Sequence, residues 1–343
     1  MTSGLKKRLR WIVYPFLLVV LPVWLYSCMI PMPGKSHRGP LPPLTPAQAE
    51  LSAALRRDVH ELAEKIGVRN TLHYAALQKA ADYVEKELSV AGKVSRQSYT
   101  ASGRVCDNLE VERRGASSPD EIVVVGGHYD SVFGCPGAND NASGTAGVLA
   151  LARSLATWSP ARTLRFVAFV NEEPPHFQSD EMGSRVYAKR CRERNEKIVA
   201  MLSLETIGYY SDEDGSQHYP PPLGLFYPSA GNFIAFVGNV GSRALVRRCI
   251  RTFRERAAFP SEGAAVPSLL PGVGWSDHES FWSVGYPGVM VTDTAPFRYP
   301  HYHLAGDTPD RIDFDRCARV VEGIEQVVRD LAGIAPADGQ RRP

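Results

Sequence analysis

Apolar positions recur along this chain in two rhythms. Leu51, Leu55, Val59, Leu62 and Ile66 follow steps of four and three, which predicts an amphipathic helix starting near Thr45-Pro46. A second helix is expected from about Leu72 to Val90, stopped by Gly92. The rhythm then shortens. Strands are expected at Val94–Thr100, Val105–Arg113 and Ile122–Val125, a helix at Ser143–Leu155 and a strand at Leu164–Val170. A helix at Ser184–Asn195 and a strand at Ile198–Leu204 continue the alternation. Later strands are expected at Leu223–Tyr227, Phe233–Val237 and Val289–Thr292, with helices at Ser242–Ala257 and Arg316–Ala332. Alternating apolar strands and helices predict an α/β fold, a mostly parallel mixed sheet between two helical layers. No repeat of fixed period occurs, which excludes a solenoid or propeller.

One run has neither rhythm. Trp11 to Ile30 reads WIVYPFLLVVLPVWLYSCMI without a charge, directly after Lys6, Lys7, Arg8 and Arg10. About 20 apolar residues can cross roughly 30 Å of hydrocarbon, and the bases should stay cytoplasmic. Residues 1–30 are therefore expected to be a signal or membrane anchor that exports the rest. Pro15 and Pro22 interrupt the run, and Leu25-Tyr26-Ser27-Cys28 resembles a bacterial lipoprotein cleavage box. An uncleaved anchor, a lipidated Cys28 and plain secretion all remain open. Residues 31–46, PMPGKSHRGPLPPLTP, should form a stiff proline-rich spacer holding the body off the membrane. Residues 47–335 are then the folded body and 336–343 a flexible tail.

The charge balance changes once it is divided along the chain. The net charge is +2, and residues before Glu50 carry six bases and no acid, leaving −4 on the remainder. A nucleic-acid-binding body is excluded, because phosphate recognition needs a basic surface. Arg247, Arg248, Arg251, Arg254 and Arg256 read as the solvated face of a helix. The six cysteines form no CxxC or Cys/His zinc-knuckle spacing, so buried free thiols are the expectation.

Ligands of open α/β sheets bind beyond the carboxyl ends of the strands. Four such ends carry chemistry here. Ile122–Val125 runs into GGHYDS with His128 and Asp130, and Leu164–Val170 runs into NEEPP with Glu172 and Glu173. Ile198–Leu204 ends in Glu205; Val289–Thr292 precedes Asp293 and YPHYHLAGDTPD, with His301 and His303. Asp140, in PGANDNASGTAG, is expected to open a helix. Imidazole and carboxylate together suit a hydrolytic zinc site. Adjacent Glu172 and Glu173 resolve into one ligand and one general base.

These motifs, with SDHESF, resemble family twenty-eight of the metallopeptidases from about Leu51 to Ala332. That family includes di-zinc aminopeptidases, glutamate carboxypeptidase-type enzymes and glutaminyl cyclases. The resemblance implies that Asp140 bridges two zinc ions. One ion would also take His128 and Glu205, where many relatives have Asp; the other would also take Glu173 and His303. Glu172 would be the base that deprotonates metal-activated water, and Asp130 would orient His128. His301 is left aside because His303 directly precedes LAGDT. Asp277 would either support a ligand from behind or touch substrate, His278 would be a core or ligand-supporting residue, Tyr209, Tyr210 and Tyr299 would pack or wall the cleft, and His176 and His218 would be exposed loop residues. NEE is followed by PPHFQSDEMGS, longer than the family's turn, which should reshape the cleft rim. The implied activity is an exported, membrane-anchored zinc aminopeptidase acting on peptides; a glutaminyl cyclase acting on N-terminal glutamine is the alternative.

Overall fold

The computed structural model describes residues 29–333. The expectations for the anchor run up to Cys28 and for the C-terminal tail lie outside the described residues. Among those described, no helix is long and apolar enough to cross a membrane.

Eight strands make one sheet: β1 (Val94–Ala101), β2 (Arg104–Arg113), β3 (Ser118–His128), β4 (Arg162–Phe169), β5 (Lys197–Glu205), β6 (Ile234–Asn239), β7 (Ser261–Val266) and β8 (Gly288–Thr292). Their order is β1-β2-β4-β3-β5-β8-β6-β7. The central strands β4, β3, β5 and β8 are mutually parallel, β1 and β2 join antiparallel on one side, and β6 turns antiparallel against β8 on the other. Alternation sorts the buried side chains onto two faces. Val123 and Val125 of β3, with Leu164 and Phe166 of β4, point into the larger core. Val124, Val167 and Phe169 point into the smaller one.

Helices α1 (Pro46–Val59), α2 (Tyr74–Leu88), α3 (Gly144–Ser154), α5 (Arg243–Arg256) and α7 (Phe314–Ala332) bury apolar stripes in the larger core. α4 (Gly183–Glu193) and α6 (His278–Ser283) cover the other face with Tyr187, Cys191 and Phe281. The result is the expected three-layer α/β/α arrangement. Each fully buried Val or Phe contributes roughly 1.5–3 kcal/mol by leaving water, so the centre of the sheet is a stiff platform for its loops.

Local signals set the boundaries. Thr45 caps α1 reciprocally with Gln48: the Thr45 hydroxyl accepts from Gln48 N at 3.2 Å, and Thr45 N donates to Gln48 Oε1 at 3.0 Å. Gly92, at φ 149°, ends the α2 region in a conformation that disfavours a side chain.

Three elements differ from expectation. Leu223–Tyr227 is no strand; Leu223–Leu225 forms one tight turn after Pro220-Pro221-Pro222, which lack the N–H groups a ladder needs. β7 was not foreseen, because SEGAAV has little β-branched character. Its Gly263 is there for closeness: a Cβ would stand 2.8 Å from Ile250 Cδ1. α6 is too short, at six residues, to show a period.

The segment expected to stand off as a spacer lies against the body. Arg247 donates to Pro31 O at 2.7 Å, and Arg254 Nη1 to the carbonyls of Met32, Pro33 and Gly34 at 3.5, 3.2 and 3.3 Å. Ser261 N donates to Ser36 Oγ at 2.9 Å, and Arg319 donates to Pro42 O. Arg254 is thus a clamp and not part of a solvated face. The five described cysteines, Cys106, Cys135, Cys191, Cys249 and Cys317, are buried and unpaired with one another.

Candidate metal centre

Each candidate side chain leaves the carboxyl end of a central strand or the loop beside it. β3 ends on His128, which is fully buried. Its Nδ1 is 3.4 Å from Asp130 Oδ1. The same Asp130 carboxylate accepts the backbone N–H groups of Glu172 and Glu173, each at 3.2 Å. One carboxylate therefore faces the imidazole and fixes the turn that carries both glutamates.

The loop after β3 is held from within. Arg69 is fully buried, and its guanidinium donates to the carbonyls of Tyr129 at 2.6 Å, Gly137 at 2.8 Å, Leu62 and Gly67 at 3.3 Å, and to that of Pro136. Asp307 accepts from Asn139 N at 2.8 Å and Asp140 N at 3.1 Å. Asn141 joins this loop to β5: its Nδ2 donates to Leu204 O, and its Oδ1 accepts from Gly144 N and Thr206 N. Asp140 does not open a helix as expected. Its backbone is extended (φ −109°, ψ 93°), and α3 starts only at Gly144, where a Cβ would stand 2.2 Å from Leu204 O.

These supports bring the predicted ligands together. Asp140 Oδ1 is 3.3 Å from His128 Nε2, which is also 3.3 Å from Glu205 Oε2. Asp140 Oδ2 is 3.1 Å from His303 Nε2, which is 3.3 Å from Glu173 Oε2. Two groups result, His128–Asp140–Glu205 and Asp140–Glu173–His303, each with ligand atoms within 4.8 Å of one another. Asp140 belongs to both and turns one oxygen to each. Glu172 Oε2 lies 3.7 Å from His128 Nε2, outside both groups. Asn171, Thr206 and His303 take positive φ of 59°, 49° and 58°. Such residues are uncommon outside glycine and concentrate at functional sites. Here two adjoin Glu172 and Glu205, and the third is itself a candidate ligand.

The electrostatics match a cation site. Burial pushes Glu172 well above the usual carboxylate range, and burial with Asp140 alongside pushes Glu173 up to about 7. Burial also raises Glu205. Burial works against charge on Asp140 as well, but His128 and His303 on either side hold it below the usual range. Burial opposes a charge on His303, yet its bonds to Asp140 and Glu173 lift it to about 10. His128 is raised too, because Glu205 and Glu172 outweigh its own desolvation. Carboxylates this close demand positive charge among them. Both ring nitrogens of His128 and Glu173 Oε1 are buried without a hydrogen-bond partner. Imidazole nitrogens and carboxylate oxygens left unpaired in this way fit zinc.

The remaining candidates sort cleanly. His301 is in neither group, and His218 is exposed. His278 is a core residue, with Nε2 2.8 Å from Val273 O and its pKa drawn down to about 4 by burial. Tyr209 and Tyr299 pack at 4.7 Å between ring centroids, and Tyr210 packs on Phe259. Asp277 is fully buried behind the site, pushed up to about 7 by that burial. His176 corrects the sequence reading. It is buried, its Nδ1 3.1 Å from Glu181 and its Nε2 3.3 Å from Thr71, and so ties down the long segment after Glu173.

Several working residues escaped the sequence. Ser276 Oγ donates to Glu205 Oε2 at 2.8 Å. Tyr302 stacks on His303 with centroids 3.9 Å apart. Arg69 and Asp307 hold the Asp140 loop. Ser276 and Asp307 sat inside motifs already singled out; nothing near Arg69 in sequence marks it.

The site opens into a cleft of about 630 Å³, part of it open to solvent, walled by Pro174, Phe177, Trp275 and Tyr302. Phe177 comes from the long segment, which does shape the rim. Beside it an apolar pocket of about 800 Å³, part of it open to solvent, is lined by Tyr219, Tyr227, Phe233, Val266, Met290 and Phe297. Glu205, Trp275 and Tyr302 border both.

Comparison with known proteins agrees with this geometry. Residues 108–328 match the model of peptidase family M28. The uncharacterized protein YfbL of Escherichia coli K12 is 36% identical over 292 residues, covering 82% of this chain and 88% of that one. A probable zinc metalloprotease of Pyrenophora tritici-repentis is 28% identical over 276 residues, covering 72% of this chain; the chain spans about half (55%) of that relative's length. The fold is shared with a zinc aminopeptidase from Bacillus subtilis (TM-score 0.67, 17% identity, 83% of this chain and 95% of that one). It is shared as well with the glutaminyl cyclase of Fimbriiglobus ruber (TM-score 0.61, 21% identity, 85% and 97%).

Proposed function

The chain belongs to peptidase family M28, and on that premise we propose that it is a zinc-dependent aminopeptidase releasing N-terminal residues from peptides, with two ions per chain. The observation that carries this reading is the pair of ligand groups sharing Asp140, with Glu172 beside them and outside both. His128, Asp140 and Glu205 would hold one ion, and Asp140, Glu173 and His303 the other. When bound, zinc supplies Lewis acidity toward a peptide carbonyl and toward water.

The chain's own residues do the rest. Glu172, buried and of raised proton affinity, takes a proton from the attacking water and returns it to the departing amine. Asp130 holds Glu172 and Glu173 in register through their backbone N–H groups. Phe177, Trp275 and Tyr302 wall the reaction from bulk water. The apolar pocket bordered by Glu205 receives the side chain of the N-terminal residue. We take residues 1–30 as the anchor, 31–46 as the segment joining it to the body, 47–335 as an exported catalytic domain, and 336–343 as a tail.

The test is zinc analysis of the purified chain alongside a panel of aminoacyl and glutaminyl peptides. About two zinc per chain and release of free amino acids are expected. Conversion of N-terminal glutamine to its cyclic form without hydrolysis would replace this reading with that of a cyclase.

A further inference from the structure

The chain enters the described fold at one edge of the sheet. Met29 and Ile30, the last residues of the uncharged run, pack with Leu270, Tyr227 and Trp282 around Ala264, Val266 and Val273. The next residues are tied along β7 by Arg247, Arg254 and Ser261. A residue of extended chain spans at most about 3.6 Å, so a chain packed from Met29 onward leaves no slack between the run and the body.

Two other features share that edge. The loops flanking Tyr227 and Leu270 expose apolar side chains, Leu225 at 80%, Leu269 at 95% and Trp275 at 44%. On α5, Arg251 is exposed and Arg247, one turn before it, is half-buried and holds Pro31 O, whereas Arg254 is spent on the strap and on Glu262. Apolar tips beside cationic side chains match the boundary between acyl chains and anionic headgroups. Ala264, Val266, Val273 and Tyr227 also line the apolar pocket.

We infer that the β7 edge, with the 219–227 and 267–276 loops, rests on the surface of the bilayer that Trp11–Ile30 enters, so that the apolar pocket opens beside the headgroup layer. The partner is an anionic lipid surface, and the inference rests on the anchored reading of residues 1–30. The opposite side of the sheet points away: β2, next to the β1 edge, lies six strands from β7, roughly 30 Å at the usual spacing.

The test places a thiol-reactive fluorophore at Leu225→Cys, Leu269→Cys and, as the distal position, Val105→Cys in the full-length chain. The five described native thiols are buried, and the parent chain labelled in parallel reports any signal from Cys28. Vesicles of phosphatidylcholine and phosphatidylserine carry a nitroxide-labelled lipid as quencher. Emission at 225 and 269 should fall at least about twofold, with none of that loss at 105. Equal quenching at all three positions, or none at any, in a chain that floats with the vesicles would overturn this orientation alone. A chain that does not float with vesicles would overturn the anchored reading and this inference with it.

Discussion

Glu172 differs from Glu173 by one position and by everything around it. Both are buried, yet Glu173 meets His303 and Asp140, whereas the cation facing the Glu172 carboxylate is His128, at 3.7 Å. Glu172→Gln keeps the shape and the ability to bond water but cannot take its proton. Turnover should fall by about 10²–10⁴ with zinc content unchanged, measured by peptide hydrolysis and metal analysis on one sample. Normal turnover with full zinc would send the proton elsewhere. Asp140→Ala should empty both positions and His303→Ala mainly one, because only Asp140 faces both groups; two zinc in Asp140→Ala would refute bridging. Acidity should work in the same place. His303, raised to about 10, and Glu173, raised to about 7, must each lose a proton to a metal. Zinc affinity should therefore climb as pH rises from 5 through 7, with proton release measurable by calorimetry in buffers of different ionisation heat. Affinity flat across that range would contradict it. The residues proposed as ligands and base were named from the sequence through motifs that resemble the family, and the fold brings their side chains together. His176 was misread because one of its two partners, Thr71, is 105 positions away, a relation no local pattern carries.

At the scale of elements, long periodic segments announced themselves and small-residue ones did not. α1, α2 and the central strands β3, β4 and β5 followed from apolar rhythm. β7 did not, because at an edge packed by Ile250 and Met32 its work is done by Gly263 and alanines. Leu223–Tyr227 looked like a strand by composition, and the prolines just before it overruled that. The junction between α1 and α2 carries another function unseen in sequence, since Arg69 there binds the carbonyls around the Asp140 loop. Arg69→Met should leave several of those carbonyls unsatisfied at about 1–3 kcal/mol each. The expected result is a lower melting temperature and weaker zinc binding together. A variant that melts and binds zinc as the parent does would show that the loop stands without its guanidinium.

For the whole molecule, the basic N-terminus and acidic body divide the chain just before Glu50, where the proposed joining segment gives way to the body. A reporter active only outside the cytoplasm, fused after Pro46, should be active; activity of a cytoplasm-only reporter there would remove export from the proposal. The sheet adds something about timing. Its candidate ligands come from positions 128, 140, 173, 205 and 303, on or beside strands whose neighbours in space are distant in sequence. Such non-local pairings close late in folding. A chain still on the ribosome, or threaded unfolded through a translocation pore, therefore has at most scattered ligands and no shared carboxylate between two sites. The candidate centre therefore cannot be complete until His303, the last of these residues along the chain, has docked beside Asp140.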